Sequence, residues 1–143
     1  MTSEGDALAH ATKLISGRDK TAEQVRGALE RKGFARDVIE GALARCRELG
    51  YLDDARVAKR LALDALFDGW VGEALLFKLT AKGLDERVAR EAIEAAREER
   101  GVSDRSAAMT LLQQRKLTGP KAARFLASRG FAEELVEELV PGE

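Results

Sequence analysis

The hexapeptide LERKGF at residues 29–34 recurs as LTAKGL at residues 79–84 and as LASRGF at residues 126–131. Each copy has Leu, two variable residues, a basic residue, Gly and a large apolar residue, and the glycines lie 50 and 47 positions apart. Gly adopts the left-handed backbone that ends a helix, and the residue after it folds back onto the Leu of the last turn. The basic residue lies at the negative end of the helix dipole. The sequence therefore predicts three helix stops.

Apolar residues follow each of these glycines at helical spacing, at positions five, six, nine and ten. In the first copy they are Val38, Ile39, Ala42 and Leu43. This period predicts a second amphipathic helix after each turn. Upstream, the first and third copies align without a gap, 97 residues apart, which predicts a helix before each pair.

The fold class expected from this repetition is all-α. The predicted architecture is an elongated tandem array of three three-helix repeats, with about nine helices and no sheet. The predicted helices are 6–16, 21–32, 35–49, 53–68, 72–82, 85–100, 104–115, 119–129 and 132–140. The predicted repeats are residues 1–52, 53–101 and 102–143.

Capping residues support this division. Thr21 followed by Gln24 is typical of a capping box at a helix start. Asp53 or Asp54 can begin the next repeat, with a carboxylate pair that binds metal as the alternative interpretation. We favour capping, because both carboxylates lie at the start of the predicted helix 53–68.

Composition limits the class of protein. The chain has 143 residues, of which 45% are apolar and 34% are charged, and it has two prolines, so a helical globular fold is expected. No apolar run is long enough to cross a bilayer, and the first residues lack the pattern of a secretory signal. Cys46 is the single cysteine, which predicts no internal disulfide and a cytoplasmic location.

Residues for catalysis are scarce. His10 is the single histidine and is expected at the surface, while Cys46 falls on the apolar face of a predicted helix. No metal-ligand spacing, phosphate-binding loop or nucleophile elbow is present. The sequence therefore predicts a protein that is not an enzyme, with no catalytic residue, cofactor or metal.

Charge is uneven along the chain. From Arg105 to Arg129 there are six basic residues and no acidic one, and from Lys13 to Arg36 there are seven basic and three acidic. From Asp53 to Arg100 there are nine basic and eleven acidic residues. The two outer repeats are thus expected to carry positive surfaces and the middle one is not. These surfaces are either ordinary solvated faces or sites for an acidic partner.

Trp70, between Gly69 and Gly72, lies where two predicted helices meet. It has two interpretations, because a Trp at such a place either packs the junction of two repeats or anchors a partner. We favour packing.

The three hexapeptides together with GYLDDARVAKR from Gly50 resemble the RecX family, over about residues 7–140. The resemblance implies a tandem of three-helix repeats that binds along the groove of the RecA recombinase filament. It also implies modulation, usually inhibition, of strand exchange and ATP hydrolysis, and so a part in homologous recombination, DNA repair and the SOS response. Val57 departs from the family pattern, which has an aromatic residue there. Val71, Gly72 and Ala74 replace its glycine, proline and arginine.

The resemblance and the charge pattern together predict a regulator of RecA that acts by binding, as a monomer, without contact to membranes. DNA, single- or double-stranded, is left open as a further partner. The alternatives are a helical DNA-binding protein or an interaction scaffold that does not act on RecA. The predicted contact residues are Arg18, Arg26, Lys32, Arg56, Lys82, Arg115, Lys121, Arg124 and Arg129.

Overall fold

The computed structural model of the chain describes residues 3–16 and 20–142, and over these residues it contains nine α-helices and no strand. The predicted all-α array of three-helix repeats is confirmed, and each predicted helix boundary lies within two residues of the observed one. The helices are α1 (Glu4–Ile15), α2 (Ala22–Arg31), α3 (Arg36–Glu48), α4 (Asp54–Phe67), α5 (Gly72–Thr80), α6 (Glu86–Arg100), α7 (Asp104–Arg115), α8 (Gly119–Ser128) and α9 (Glu133–Leu139).

Side-chain caps begin several of these helices. The capping box before α2 is confirmed, since the Gln24 backbone N–H donates to Thr21 Oγ1 at 3.1 Å and the Thr21 N–H donates to Gln24 Oε1 at 2.9 Å. Asp53 caps α4 by accepting the Arg56 N–H at 3.1 Å. Asp54 instead accepts the N–H of Ala22 at 2.9 Å, which ties α4 to the start of α2. Both carboxylates are therefore used in hydrogen bonds to backbone N–H groups.

The three predicted helix stops are confirmed. Gly33, Gly83 and Gly130 have φ angles of 92°, 92° and 97°, the left-handed region that Gly favours. At the third stop the Phe131 N–H donates to the Leu126 carbonyl at 3.2 Å, the bond that defines this type of helix end. Both side chains are buried, so the turn is closed by apolar contact as well.

The buried residues form two clusters. The first lies inside α1 to α3, around Leu29, Ile39 and Leu43. The second extends through α4 to α9 and includes Leu75 and Leu126. The second and third repeats therefore share one core, whereas the first repeat has its own. The residue limits of the three repeats stay a prediction.

Neighbouring repeats meet at two joints that use equivalent positions. At the first joint, Thr21 Oγ1, just before α2, donates to the Lys82 carbonyl at 3.5 Å. At the second joint, the N–H of Val71, just before α5, donates to the Arg129 carbonyl at 2.9 Å. In both joints the start of the middle helix of one repeat docks on the basic–Gly turn of the next. The recurring hexapeptide therefore joins repeats as well as ending helices, a role that the sequence analysis missed.

The single cysteine provides a test of the first core. Cys46 is completely buried, and burial raises the pKa of its thiol, an effect that nearby Arg47 partly opposes. Because the thiolate is the reactive form, both access and ionisation are unfavourable in the folded chain. We expect a chromogenic disulfide reagent to react slowly with the native protein and rapidly after unfolding in guanidinium. Rapid reaction in native buffer would mean that α1 and α3 do not enclose this side chain.

Candidate functional site

A cleft of about 840 Å³ lies at the first joint. The end of α1, the segment before α2, the outward face of α4 and the turn after α5 form its walls. The lining residues are Thr12, Ile15, Ser16, Lys20, Gln24, Gly50, Tyr51, Arg56, Val57, Arg60, Leu61, Asp64 and Lys82.

The charge of this cleft is strongly positive. Its lining includes Lys20, Arg56, Arg60 and Lys82 against one carboxylate, that of Asp64. Arg56 and Arg60 are four positions apart on α4 and so share one face. Cations in a concave surface concentrate their field, so the cleft suits an acidic side chain or a phosphate group.

This cleft corrects the charge-based expectation for the middle repeat. Residues 53–100 have a negative balance along the sequence, yet Arg56, Arg60 and Lys82 all come from this stretch and line one cleft. The acidic residues of α6 include Glu86, which pairs with Arg90 on the same helix. A net charge averages over all faces of a repeat, and for that reason the predicted lack of a positive surface here was wrong.

Of two further predicted contact residues, Arg18 and Arg26, the structure describes only Arg26. Arg18 lies outside the described residues. Arg26 forms ion pairs with Glu23 and Glu40, each at 2.7 Å. The hydrogen bond to Glu40 is the main cause that raises the pKa of Arg26, and the same bond lowers the pKa of Glu40. A partner that bound Arg26 would therefore compete with two carboxylates already in place.

Arg129 and Arg115 belong to a stack of cations and aromatic rings at the second joint. The Arg129 guanidinium lies 4.2 Å from the Trp70 ring centroid and 4.8 Å from that of Phe125. Lys78 Nζ also lies 4.5 Å from the Trp70 ring centroid, and the Arg115 guanidinium lies 5.0 Å from that of Phe125. The stack links the second repeat to the third, which is the packing role favoured for Trp70.

Burial accompanies this stacking. It lowers the pKa of Arg129, and within the described part of the chain the Nε atom of this side chain finds no hydrogen-bond acceptor. A guanidinium held between two ring faces is stabilised by their negative electrostatic faces. Arg129 is thus placed to hold the joint, with little of it available to a partner.

The remaining predicted contacts, Lys32, Lys121 and Arg124, are exposed and line no part of the cleft. Lys32 follows α2, whereas the other two project from α8. Of the predicted contact residues that the structure describes, only Arg56 and Lys82 therefore line the cleft.

Four residues that the sequence analysis missed stand out on the surface. Lys20 and Arg60 line the cleft, and Phe67 and Phe77 are 77% and 73% exposed. Phe67 continues the outward stripe of α4 three positions after Asp64. Exposed large aromatic side chains are frequent at protein interfaces. The helical period of α4 was the available signal, since it places Phe67 on the same face as the cleft arginines.

Other kinds of site find no support among residues 3–16 and 20–142. No group of three or more His, Cys, Asp or Glu side chains there is arranged to hold a metal ion. None of the helices in these ranges has the length and apolar character needed to span a membrane.

Comparison with known proteins gives consistent matches. A family profile described as the first three-helix domain of RecX matches residues 7–46. The regulatory protein RecX of Syntrophotalea carbinolica is 39% identical over 100 residues, which cover 69% of this chain and 65% of that protein. That of Mycobacterium ulcerans is 30% identical over 98% of this chain and 86% of its own length.

The fold is shared with a solved structure, the crystal structure of RecX from Lactobacillus salivarius. The TM-score is 0.72, and the match covers 95% of this chain and 93% of that one at 16% identity. The regulatory protein RecX of Chromohalobacter salexigens, 31% identical, matches 94% of this chain and 91% of its own length. The RecX proteins of M. ulcerans and C. salexigens, at 30% and 31% identity over 98% and 94% of this chain, show that the chain belongs to the RecX family of regulatory proteins.

Proposed function

We propose that this chain regulates a RecA recombinase filament by binding along its groove, and that it inhibits strand exchange and ATP hydrolysis without catalysing a reaction. The observation that carries the proposal is the positive cleft at the first joint. The proposal places the chain in homologous recombination and DNA repair, in the cytoplasm where a recombinase filament forms.

The cleft supplies the polar part of this interface. Lys20 and Lys82 come from different repeats and line the same cleft, so docking of the first repeat adds Lys20 to the three cations of the middle repeat. An acidic side chain of a protein filament would be attracted to such a cluster, and so would a phosphate group of DNA bound within it.

Exposed aromatic residues supply the apolar part. Phe67 and Phe77 both belong to the middle repeat, and Phe67 lies on the α4 face that also carries Arg56 and Arg60. An aromatic anchor beside a charged rim is a common arrangement in protein–protein interfaces. A tandem array of helical repeats offers an extended face of this kind to a long partner.

A charge-reversal experiment tests the proposal. In the double variant Lys20→Glu and Lys82→Glu, the concentration that gives half-inhibition of RecA ATPase activity on single-stranded DNA should rise by about tenfold or more. The matched control is Arg36→Glu with Arg47→Glu, which changes net charge equally on exposed positions of α3 outside the cleft. This control should titrate like the unchanged protein.

Other outcomes distinguish the alternatives. Loss of inhibition in Lys121→Glu with Arg124→Glu, with Lys20→Glu and Lys82→Glu unaffected, would move the contact surface to α8. A duplex-DNA affinity that falls steeply with salt, without any effect on RecA, would favour the DNA-binding alternative. A pull-down partner other than RecA, again with RecA activity unchanged, would favour the scaffold.

A further inference from the structure

Each joint pairs the segment before a middle helix with a basic–Gly turn of the next repeat. Within the described chain, one such segment and one such turn are not used in either joint. Thr21 and Val71, which precede α2 and α5, are 0% and 2% exposed because the next repeat covers them. The equivalent residue before α8 is Thr118, which is exposed. No fourth repeat follows in the described chain to cover it.

The segment Thr118–Gly119 nevertheless has the conformation of the docked segment Val71–Gly72. Thr118 has φ −141° and ψ 165°, close to the −142° and 174° of Val71. Gly119 has a φ of 62° and Gly72 a φ of 56°. A Cβ atom on Gly72 would lie 2.7 Å from the Gly130 carbonyl oxygen, whereas no atom of the described residues lies within 4 Å of one on Gly119. Within the described chain, the third repeat thus presents a docking segment in its docked shape that no basic–Gly turn contacts.

The complementary turn is open at the other end. Gly33 has a φ of 92°, the same as Gly83 in the first joint, and an added Cβ atom there would have no neighbour within 4 Å among residues 3–16 and 20–142. Within the described residues, no hydrogen bond reaches the Lys32 carbonyl, while the equivalent carbonyls of Lys82 and Arg129 each accept one. The first repeat thus presents a receiving turn on which no segment of the described chain docks.

We propose that copies of this chain associate head to tail, with Thr118–Gly119 of one copy docked on the Lys32–Gly33 turn of the next. The Thr118 hydroxyl, which does not cap α8, donates to the Lys32 carbonyl as Thr21 donates to Lys82. Half-buried Leu117, at the position of Trp70 in the second joint, packs on the aliphatic part of Lys32. The contact joins two different surfaces, so it extends into an open chain of copies.

The charges at this contact determine its salt dependence. Lys32 and Lys121 would lie on opposite sides of it and repel one another. The first joint already tolerates such a pair, since Lys20 and Lys82 line one cleft. Salt screens the repulsion while leaving the hydrogen bond and the apolar contact in place. Association is therefore weak at low salt, where the chain is a monomer, and it strengthens as salt rises.

Sedimentation velocity with purified chain tests this inference without RecA, so its outcome is independent of the proposed function. The average mass should rise beyond that of a dimer as protein concentration and salt increase. A lysine cross-linker applied to a mixture of ¹⁴N- and ¹⁵N-labelled protein should join Lys32 of one copy to Lys121 of another. This pair is expected from the second joint, where Ala74 is the equivalent of Lys121 and Gly130 is the equivalent of Gly33. The Ala74 Cβ lies 3.0 Å from the added Cβ position at Gly130, so Lys121 would lie close to the Lys32–Gly33 turn.

The variant Thr118→Asp should abolish both signals. Asp is a good first residue for a helix, so α8 is retained, but its carboxylate faces the Lys32 carbonyl and repels it. Thr118→Ser keeps the hydroxyl and should associate normally. Ser103→Asp, which changes the residue before α7 in the same way, is the matched control. A mass that stays monomeric, a mass that stops at a dimer, or unchanged association of Thr118→Asp would each overturn the inference.

Discussion

Replacing Gly130 with Ala is expected to destabilise the chain by about 3 kcal/mol or more. Its φ of 97° is costly for any residue with a Cβ atom, and that atom would lie 2.0 Å from the Val71 carbonyl oxygen. The atom in the way belongs to the backbone, so the clash cannot be relieved by the movement of a flexible side chain. The second joint would have to open, and the bond from the Val71 N–H to the Arg129 carbonyl would be lost.

Gly33→Ala is the matched control for this prediction. Gly33 has a φ of 92° in the same kind of turn, but in the described part of the chain no atom lies within 4 Å of an added Cβ atom. Only the conformational cost remains, about 1 kcal/mol. Urea unfolding followed by the fluorescence of Trp70, which lies in the second joint, measures both variants. Equal losses of stability in the two variants would show that the second joint does not hold its two backbones in contact.

Replacing Arg129 with Ala is expected to lower the free energy of unfolding by about 2 kcal/mol, since two cation–aromatic contacts are removed at once. Arg129 lies between the rings of Trp70 and Phe125, and its removal leaves both ring faces partly uncovered. The fluorescence spectrum of Trp70 should shift as water reaches the ring. Urea unfolding again provides the measurement.

Lys82→Ala is the control at the equivalent position of the first joint, where no cation–aromatic contact is found for Lys82 within the described chain. Its unfolding free energy should change by less than about 0.5 kcal/mol. The proposed inhibition of RecA should show the opposite order. At protein concentrations where both variants are folded, Lys82→Ala should inhibit RecA less than Arg129→Ala does. If Lys82→Ala destabilised the chain as much as Arg129→Ala, the ring contacts would not be what stabilises the second joint.

Local signals explain why the helices could be predicted so closely. A glycine that follows the last turn of a helix can end it by adopting the left-handed backbone, and the pair Thr21 and Gln24 caps α2 through bonds three residues apart. The spacing of apolar residues identified the buried face of α3, on which Cys46 lies. Each of these signals acts within one or two helical turns.

The candidate site could be predicted only in part, because it is assembled across a joint. Arg56 and Lys82 were identified as contact residues, but Lys20 and Arg60 were not. The net charge of residues 53–100 did not reveal the cleft, because it sums basic and acidic residues that can lie on different faces of the folded repeat. Arg26 was predicted as a contact, although Glu40, fourteen positions away, already binds it.

The sequence by itself determined the nine helices of the described chain, their ends and their threefold repetition, because these depend on residues that are near neighbours along the chain. Only the tertiary structure decided what each basic–Gly turn does. Lys82 and Arg129 occupy equivalent positions, yet one lines a cleft with Lys20 and the other stacks on Trp70. The difference arises from the segment that docks on each turn, such as Thr21 on Lys82, and those partners are 61 residues apart along the chain.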